Sequence, residues 1–319
     1  MIFSYLNIIT LTITLIYSSF VFSQDFHYSM FEMSPLNMNP ALTGWYNADA
    51  RVTAHQRSQW SSVSRPFNTM SFSFDSKNKK IPIGLQINQD NAGDSYFKTF
   101  QTNLSSAYSL IADTLQNLRF GLQMGITNRT LDISPLSFDA QYNGLNYDAS
   151  LPIMESLNTN TLFYPNFNFG LLYSRVFTNN NQLNANVSFN NLNRSNQSFF
   201  GEKTPLDMKF LSRIDYKIHL QKFLSIKTSL LFLKQGPHKE IVAGIEGNYI
   251  STSFMDINRS FWVGIFYRNK DALFISAGVI HDQWKVGLSY DINFSKLIPA
   301  SRYRGGFEFG LVYFIKRKL

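Results

Sequence analysis

A strict alternation of apolar and polar residues constrains this chain more than any other feature. In residues 284–294 the even positions, from Trp284 to Phe294, are all apolar or aromatic, and the odd positions, from Lys285 to Asn293, are polar or glycine. Successive side chains of a β-strand point to opposite faces, so the pattern predicts a strand with one apolar and one polar face. A strand of this length extends about 35 Å, which is enough to cross a bilayer at a tilt.

Similar two-faced segments recur along the chain after residue 50. We identify fourteen, near residues 51–59, 68–76, 80–89, 97–111, 117–130, 164–177, 182–190, 207–220, 223–233, 240–249, 260–268, 272–280, 283–294 and 305–315. An even number suits a closed antiparallel barrel with both termini on one side. Short connections such as 178–181 alternate with long ones such as 131–163, which is typical of outer-membrane barrels. The connections 250–259 and 269–271 depart from this rule and leave the strand parity open there.

The polar faces favour a membrane barrel over a soluble β protein, which is the alternative. They carry seven basic residues: Arg57, Arg129, Arg213, Lys217, Lys227, Arg268 and Lys285. Charges on the inner face of a soluble sandwich would be costly to bury, whereas the lumen of a barrel is polar. The polar faces also carry glycines, which leave room inside or permit curvature. These are Gly84, Gly121, Gly125, Gly170, Gly244, Gly264, Gly287 and Gly310.

The N-terminus has the composition of an export signal. Residues 1–23 contain no charge, have an apolar centre over 8–17 and end in Val21-Phe22-Ser23. We predict a signal peptide that is cut before Gln24. An uncleaved anchor helix is the alternative, although the apolar run is short for a membrane span. The chain has no cysteine, so neither disulfides nor thiolate metal sites are expected.

Residues 24–50 are predicted to be a separate segment, and residues 51–319 the barrel. Pro35 and Pro40 exclude a regular strand or helix over the segment. Its phenylalanines and methionines are unlike a solvated tail, so we predict an ordered periplasmic or plug-like segment packed against or inside the barrel. A flexible leader is the alternative.

No catalytic, cofactor or metal site is predicted. The five histidines are scattered without ligand spacing, and no GxSxG or phosphate-binding glycine motif occurs. A hydrolase whose triad is assembled across strands stays open as a remote alternative. Asp90 and Asp94 lack the spacing of a calcium loop and are predicted to lie in a polar hairpin loop. The net charge of +8 is dispersed along the chain, so no nucleic acid is expected as a partner.

Several motifs along the mature chain resemble those of one family. They include residues 35–44 (PLNMNPALTG), Arg51 with residues 57–60 (RSQW), residues 66–69 (PFNT), 73–75 (SFD), 90–94 (DNAGD), 267–272 (YRNKDA), 287–291 (GLSYD) and 306–308 (GFE). Together they resemble the PorP/SprF family. The NPALTG and RxQW motifs are the most specific, and residues 131–210 carry no family motif.

The resemblance implies an outer-membrane β-barrel of the type IX secretion and gliding-motility machinery, and not an enzyme. Expected partners are outer-membrane lipid and either a secreted adhesin with a type IX C-terminal sorting domain or other secretion proteins. A diffusion channel or small-solute transporter is the alternative. The motif positions are candidates for structural or partner-docking roles. They are Asn39, Pro40, Arg57, Gln59, Trp60, Asp90 and Gly93, among which Trp60 is expected in an interfacial aromatic belt and Gly93 in a turn with positive φ.

Overall fold

The computed structural model describes most of the chain after the predicted signal peptide. It covers residues 25–59, 66–77, 81–93, 97–134, 136–152, 159–251, 259–294 and 304–316. The predicted signal peptide and Trp60 therefore lie outside the described residues. Within these ranges, no helix has the length and apolar character needed to cross a membrane.

The fold is a closed antiparallel barrel of fourteen strands, as the alternation predicts. The strands are β1 (Ala50–Gln59), β2 (Phe67–Ser76), β3 (Ile83–Ala92), β4 (Phe97–Ala112), β5 (Gln116–Leu131), β6 (Thr161–Val176), β7 (Gln182–Asn190), β8 (Lys209–Gln221), β9 (Leu224–Gln235), β10 (His238–Ser251), β11 (Arg259–Arg268), β12 (Ala272–His281), β13 (Trp284–Asn293) and β14 (Arg304–Ile315). Each strand pairs with its neighbours in sequence, and β1 pairs with β14 to close the sheet. Closure gives every strand two partners, which is the condition for β-structure in hydrocarbon.

The strand connections define two ends of the barrel. The end that carries the connections 132–160 and 191–208 is called the loop end, and the end that carries 113–115, 177–181 and 222–223 is called the turn end. Consecutive pairing of β10, β11 and β12 places Ser251 and Arg259 at the turn end and 269–271 at the loop end. The alternation between the two ends of the barrel therefore continues through residues 250–271, where the sequence left it open.

The outward faces are apolar and exposed, as Met70, Phe72 and Phe74 of β2 illustrate. The predicted basic residues of the polar faces lie inward, and Arg57, Arg213 and Arg268 are buried there. This arrangement suits a barrel with lipid outside and a polar interior.

Two sequence-based expectations need correction. The inner wall is not polar throughout, because Leu211, Leu231 and Phe274 face inward and form an apolar cluster with Phe31 and Met38 of the chain before β1. Asp90, expected in a hairpin loop, lies within β3, where its carboxylate accepts a 2.6 Å hydrogen bond from the Thr69 hydroxyl. Pairing of β2 with β3 continues as far as Asn91, which keeps Asp90 in the sheet.

Candidate functional site

The interior of the barrel is occupied by the chain's own N-terminal segment, Asp25–Asp49. At the loop end, Asp25 contacts Arg129, which lies near the last residue of β5. At the turn end, Gly44 donates its N–H to Asp75 of β2 at 2.7 Å, and Asp49 donates to the Ile315 carbonyl at 2.9 Å. The segment therefore runs through the lumen from the loop end to the turn end.

Short helical turns shape the middle of the segment. A single α-helical turn, α1 (Pro35–Met38), lies between 3-10 turns at Phe31–Met33 and Pro40–Leu42. Pro35 and Pro40 each stand at the first position of a turn, where a missing N–H costs nothing. The prolines thus start these turns in a segment that forms neither a long helix nor a strand.

Asn39 holds the centre of the segment against the wall. Its Oδ1 accepts from the Ala41 N–H at 2.8 Å and so caps the turn that begins at Pro40. Its Nδ2 donates to the main-chain carbonyls of Leu171 at 2.7 Å and Val187 at 3.2 Å. One side chain therefore both shapes the segment and ties it to β6 and β7.

Wall glycines leave the room that this approach needs. A Cβ at Gly121 would overlap the main chain of Pro40 and Ala41, and a Cβ at Gly170 would overlap Asn39. Further wall glycines at which a Cβ would crowd the segment are Gly84, Gly287 and Gly310. The spaces that the glycines leave are thus filled by protein.

Near the turn end, the segment is held by a buried ion pair. Arg51 and Asp75 are directly opposite across β1 and β2, and the guanidinium donates to both carboxylate oxygens at 2.9 and 2.7 Å. The same guanidinium donates to the Leu42 carbonyl at 3.2 Å. Arg119 of β5 donates to the Thr43 carbonyl at 2.6 Å. The strand register thus places Arg51 and Arg119 beside the main-chain carbonyls of Leu42 and Thr43.

Thr43 supplies a direct test of where the segment lies. Its hydroxyl donates to the Ser105 hydroxyl of β4 at 2.9 Å, and both residues are buried. Because the chain has no cysteine, the double variant Thr43→Cys, Ser105→Cys should form a single disulfide on mild oxidation. Protection from a thiol-reactive polyethylene glycol on a denaturing gel measures this.

A matched control uses the far side of the barrel. Ser276 lies inward on β12, and β4 and β12 are far apart around the closed sheet. Thr43→Cys with Ser276→Cys should leave both thiols reactive. Equal crosslinking of the two pairs would contradict the position of the segment.

A network of buried contacts surrounds Glu308 of β14, whose side chain has no exposed surface. Arg57, its direct neighbour across β1, donates to it at 2.7 Å, and His55 Nε2 lies at 3.1 Å. The N–H groups of Ser29 and Met30 donate to the two carboxylate oxygens at 2.6 and 2.8 Å. A charged carboxylate with this many donors holds the main chain of the segment firmly to the wall.

A second carboxylate extends the same network. Asp291 of β13 lies 3.1 Å from Arg57 and 3.1 Å from Arg268, and its Oδ2 accepts from the Ser29 hydroxyl at 2.9 Å. In the amide orientation that satisfies both groups, the Gln59 oxygen accepts from Arg57 Nε at 2.7 Å. Strands β1, β11, β13 and β14 are thereby joined around Ser29, which lies just before the first turn of the segment.

The segment contributes a charge of its own at Glu32. This carboxylate lies 2.5 Å from Arg213, 2.6 Å from Lys227 and 3.6 Å from Lys285. Burial by itself raises the pKa of Glu32, but the three cations outweigh it and hold the pKa well below its usual range. Glu32 therefore stays ionised and compensates basic residues of the inner wall.

Above the segment, a cavity of about 530 Å³ opens in the loop-end half of the lumen. Asp25, Phe26 and Tyr28 of the segment line it, together with Gln59 and Asp90. Burial lowers the pKa of the neighbouring His27 to about 3, so this imidazole is neutral at neutral pH. The volume is in the range of binding pockets for small molecules or short chain segments.

The candidate residues that the sequence motifs supplied lie in different parts of the structure. Asn39, Pro40 and Arg57 belong to the packed segment and its anchor, while Gln59 and Asp90 line the cavity. Gly93 lies after β3 with φ +62°, the conformation expected of a turn glycine. Trp60 lies outside the described residues. The structure therefore brings most of the candidates to the lumen.

The acidic partners of these residues end three of the motifs, SFD, GLSYD and GFE, but were not among the candidate residues. All three carboxylates, Glu308, Asp291 and Asp75, are buried on the inner faces of their strands. The residue before each of them is aromatic and exposed on the outer face: Phe307, Tyr290 and Phe74. An inward carboxylate on one strand and an inward arginine on another would have suggested pairing. Which inward carboxylate meets which inward arginine, however, depends on the strand register of the closed sheet.

Sequence comparison identifies the family. The family model described as type IX secretion system membrane protein PorP/SprF matches residues 20–313. The chain belongs to this family. With the closed barrel, membership makes it an outer-membrane component of the type IX secretion system. A comparison with curated protein sequences finds no match.

Solved structures share the fold of this PorP/SprF member. The Ralstonia pickettii toluene transporter TbuX has a TM-score of 0.52 at 10% identity, covering 89% of this chain and 93% of that chain. The Pseudomonas putida toluene transporter TodX has a TM-score of 0.52 at 8% identity, covering 91% and 94%. The CymD monoaromatic hydrocarbon channel has a TM-score of 0.51 at 10% identity, covering 93% and 95%. At such identities the likeness shows the fold alone.

Proposed function

We propose that this barrel is a plugged docking component of the type IX machinery. It would bind a secreted adhesin, or another secretion component, at its loop end and support that partner's secretion or surface attachment. The observation that carries the proposal is the N-terminal segment, which crosses the lumen below the cavity and is anchored by the buried Glu308 network. A lumen blocked by tightly bonded protein supports docking over solute passage.

The orientation follows from the connections. Outer-membrane barrels have short turns on the periplasmic side and long loops outside, so the loop end would face the cell exterior. A surface partner would then meet the loops and the cavity above the segment. The alternative of a diffusion channel would require the segment to leave the lumen.

The largest described loop offers a contact surface for a protein. Tyr142 and Tyr147 form a β-bridge with ring centroids 5.5 Å apart, and Leu145 between them is 92% exposed. Exposed tyrosines are enriched at protein-binding sites, because each combines a large apolar contact area with a hydroxyl that can form a hydrogen bond. We therefore place part of the docking surface here.

Copurification from solubilised outer membranes tests the proposal. The tagged full-length protein should recover an adhesin with a type IX C-terminal sorting domain, or a secretion component, identified by mass spectrometry. The variant Tyr142→Ala, Leu145→Ser, Tyr147→Ala should recover roughly tenfold less, because interface aromatics carry much of the binding energy.

The matched control is Leu115→Ser, which changes an exposed leucine at the turn end. It should leave recovery unchanged. Deletion of the gene should also remove the recovered protein from the cell surface. Unchanged surface display after deletion, or equal loss in both variants, would refute the proposed role.

A further inference from the structure

Asp25, the first described residue of the segment, lies in a cradle of donors at the loop end. Its Oδ2 accepts from Asn191 Nδ2 at 2.6 Å and from Gln235 Nε2 at 3.1 Å. Its Oδ1 lies 3.4 Å from Arg129 Nη2, and its N–H donates to Gln235 Oε1 at 2.9 Å. The wall thus binds a carboxylate here through three different side chains.

The cradle holds more donors than Asp25 uses. Lys209 is 8% exposed, and its only hydrogen bond within the described chain goes to the Phe26 carbonyl at 3.1 Å. No carboxylate among the described residues lies within ion-pair distance of its ammonium. Arg129 Nε, in an equally buried side chain, also lacks a hydrogen-bond acceptor among those residues. Within the described chain, Lys209 thus has no carboxylate partner, and Arg129 keeps one unpaired donor, so an anionic ligand would be stabilised there.

Both cations border a cavity that a ligand could enter. Arg129 and Lys209 line the 530 Å³ cavity, and the exposed Lys239 and Lys270 also line it. Charges around the opening of a cavity attract ligands of opposite sign. The two exposed lysines therefore place positive charge beside the cavity.

The carboxylates on the cavity wall are otherwise engaged, with one exception. Arg268 lies within ion-pair distance of Glu240, Asp271 and Asp291. Asp90 accepts from Thr69 and has no ion-pair partner among the described residues. The negative charge of Asp90 repels a second anion nearby. An anionic ligand should therefore bind on the side of the cavity that holds Lys209.

Arg129 also connects the cradle to the outer loops. Its Nη1 donates to the Gln197 side chain, and Asn191, which donates to Asp25, begins the same 191–208 connection. A ligand at Arg129 would therefore contact the segment and an outer loop together. This is the geometry expected of a receptor for a partner that arrives from outside.

We infer that Arg129, Lys209, Asn191 and Gln235 form a carboxylate-binding site in which Asp25 occupies one position and an acidic peptide segment of the partner takes the next. The inference rests on the proposed function only for the source of the peptide. The carboxylate can belong to an acidic side chain or to a chain terminus, and both fit the same donors.

Binding of short peptides to the purified full-length protein in detergent tests the site. The probe is N-acetylated, C-amidated tetraglutamate, and its binding is measured by calorimetry at low salt. It should bind, while the tetralysine peptide should not. Tetraglutamine with a free C-terminus, compared with its amidated form, separates a terminal carboxylate from side-chain carboxylates.

Three variants make the assignment specific. Lys209→Gln should weaken tetraglutamate binding roughly tenfold or more, because it removes a charged donor. Asp25→Asn should strengthen binding, because the resident negative charge is removed. Lys222→Gln, which makes the same charge change at the turn end, should have no effect.

The outcomes separate this inference from the proposed function. Absence of tetraglutamate binding, or equal effects of Lys209→Gln and Lys222→Gln, would overturn the carboxylate site. Specific peptide binding together with unchanged surface display after gene deletion would retain the site and remove the docking role.

Discussion

Removing residues 26–44 should convert a non-conducting barrel into an ion-conducting pore. The deletion would keep the predicted signal peptide and all fourteen strands. It would remove the side chains that fill the lumen, including Leu36, Asn39 and Ala41, which are almost fully buried. The remaining inner wall carries many polar residues, and water would replace the segment as it does in open porins.

The measurement is current across planar lipid bilayers. The full-length protein should show little steady current, and the deletion variant should show ohmic current higher by roughly tenfold or more, as a water-filled lumen implies. The oxidised variant Thr43→Cys, Ser105→Cys is the matched control. Its segment is locked to β4, so it should remain non-conducting.

A second variant covers the case in which the deletion protein is not recovered folded. Gly170→Phe keeps the chain length and places a ring where Asn39 now packs, so it should displace the segment. Large ohmic current from the unaltered protein would contradict the plugged lumen and support the diffusion channel. Current unchanged by either variant would show that the segment is not the barrier.

Glu308→Gln should be the most destabilising single substitution at the segment's anchor. It keeps the volume of the side chain but leaves the buried Arg57 without its closest carboxylate, which lies 2.7 Å away in the native protein. Breaking a buried ion pair from one side costs about 3–5 kcal/mol. Arg57 keeps Asp291 at 3.1 Å, but that carboxylate is shared with Arg268, so the loss should lie near the lower end of this range. The amide also cannot accept equally from His55 and from the Ser29 and Met30 N–H groups.

Urea unfolding in lipid vesicles, followed by tryptophan fluorescence, measures the loss. Glu202→Gln is the control, because Glu202 is exposed in the 191–208 connection, and such a change should stay within about 0.5 kcal/mol. The double variant Arg57→Gln, Glu308→Gln should lose less than the sum of the single variants, because the pair is then already broken. Additive losses, or a Glu308→Gln loss no larger than that of the control, would contradict a coupled buried pair.

Strand number and strand faces were predictable because they are local properties. The alternation over 284–294 indicates a two-faced strand without any knowledge of neighbours, and the observed strand is Trp284–Asn293. The inward position of Arg57 followed from the same rule. The apolar inner residues Leu211 and Phe274 were missed, because an inward leucine has no signature until its partner, here Phe31 of the segment, is known.

The candidate site was only partly predictable, because its contacts join distant parts of the chain. Arg57 and Glu308 are separated by 251 positions, and they meet because β1 and β14 close the barrel in one register. The carboxylate cradle depends on the same closure, since Asp25 and Gln235 are 210 positions apart. Periodicity carries no information about such pairs.

By itself, the sequence determined that this chain forms about fourteen two-faced strands and that its N-terminal motifs resemble those of the PorP/SprF family. Only the tertiary structure decided that residues 25–49 run through the lumen and which charges compensate one another there. The physical reason is that the alternation of side chains is encoded by the local sequence of each strand. Ion pairs, glycine contacts and cavities in a lumen depend instead on strand register and closure, which arise only when the whole sheet has formed.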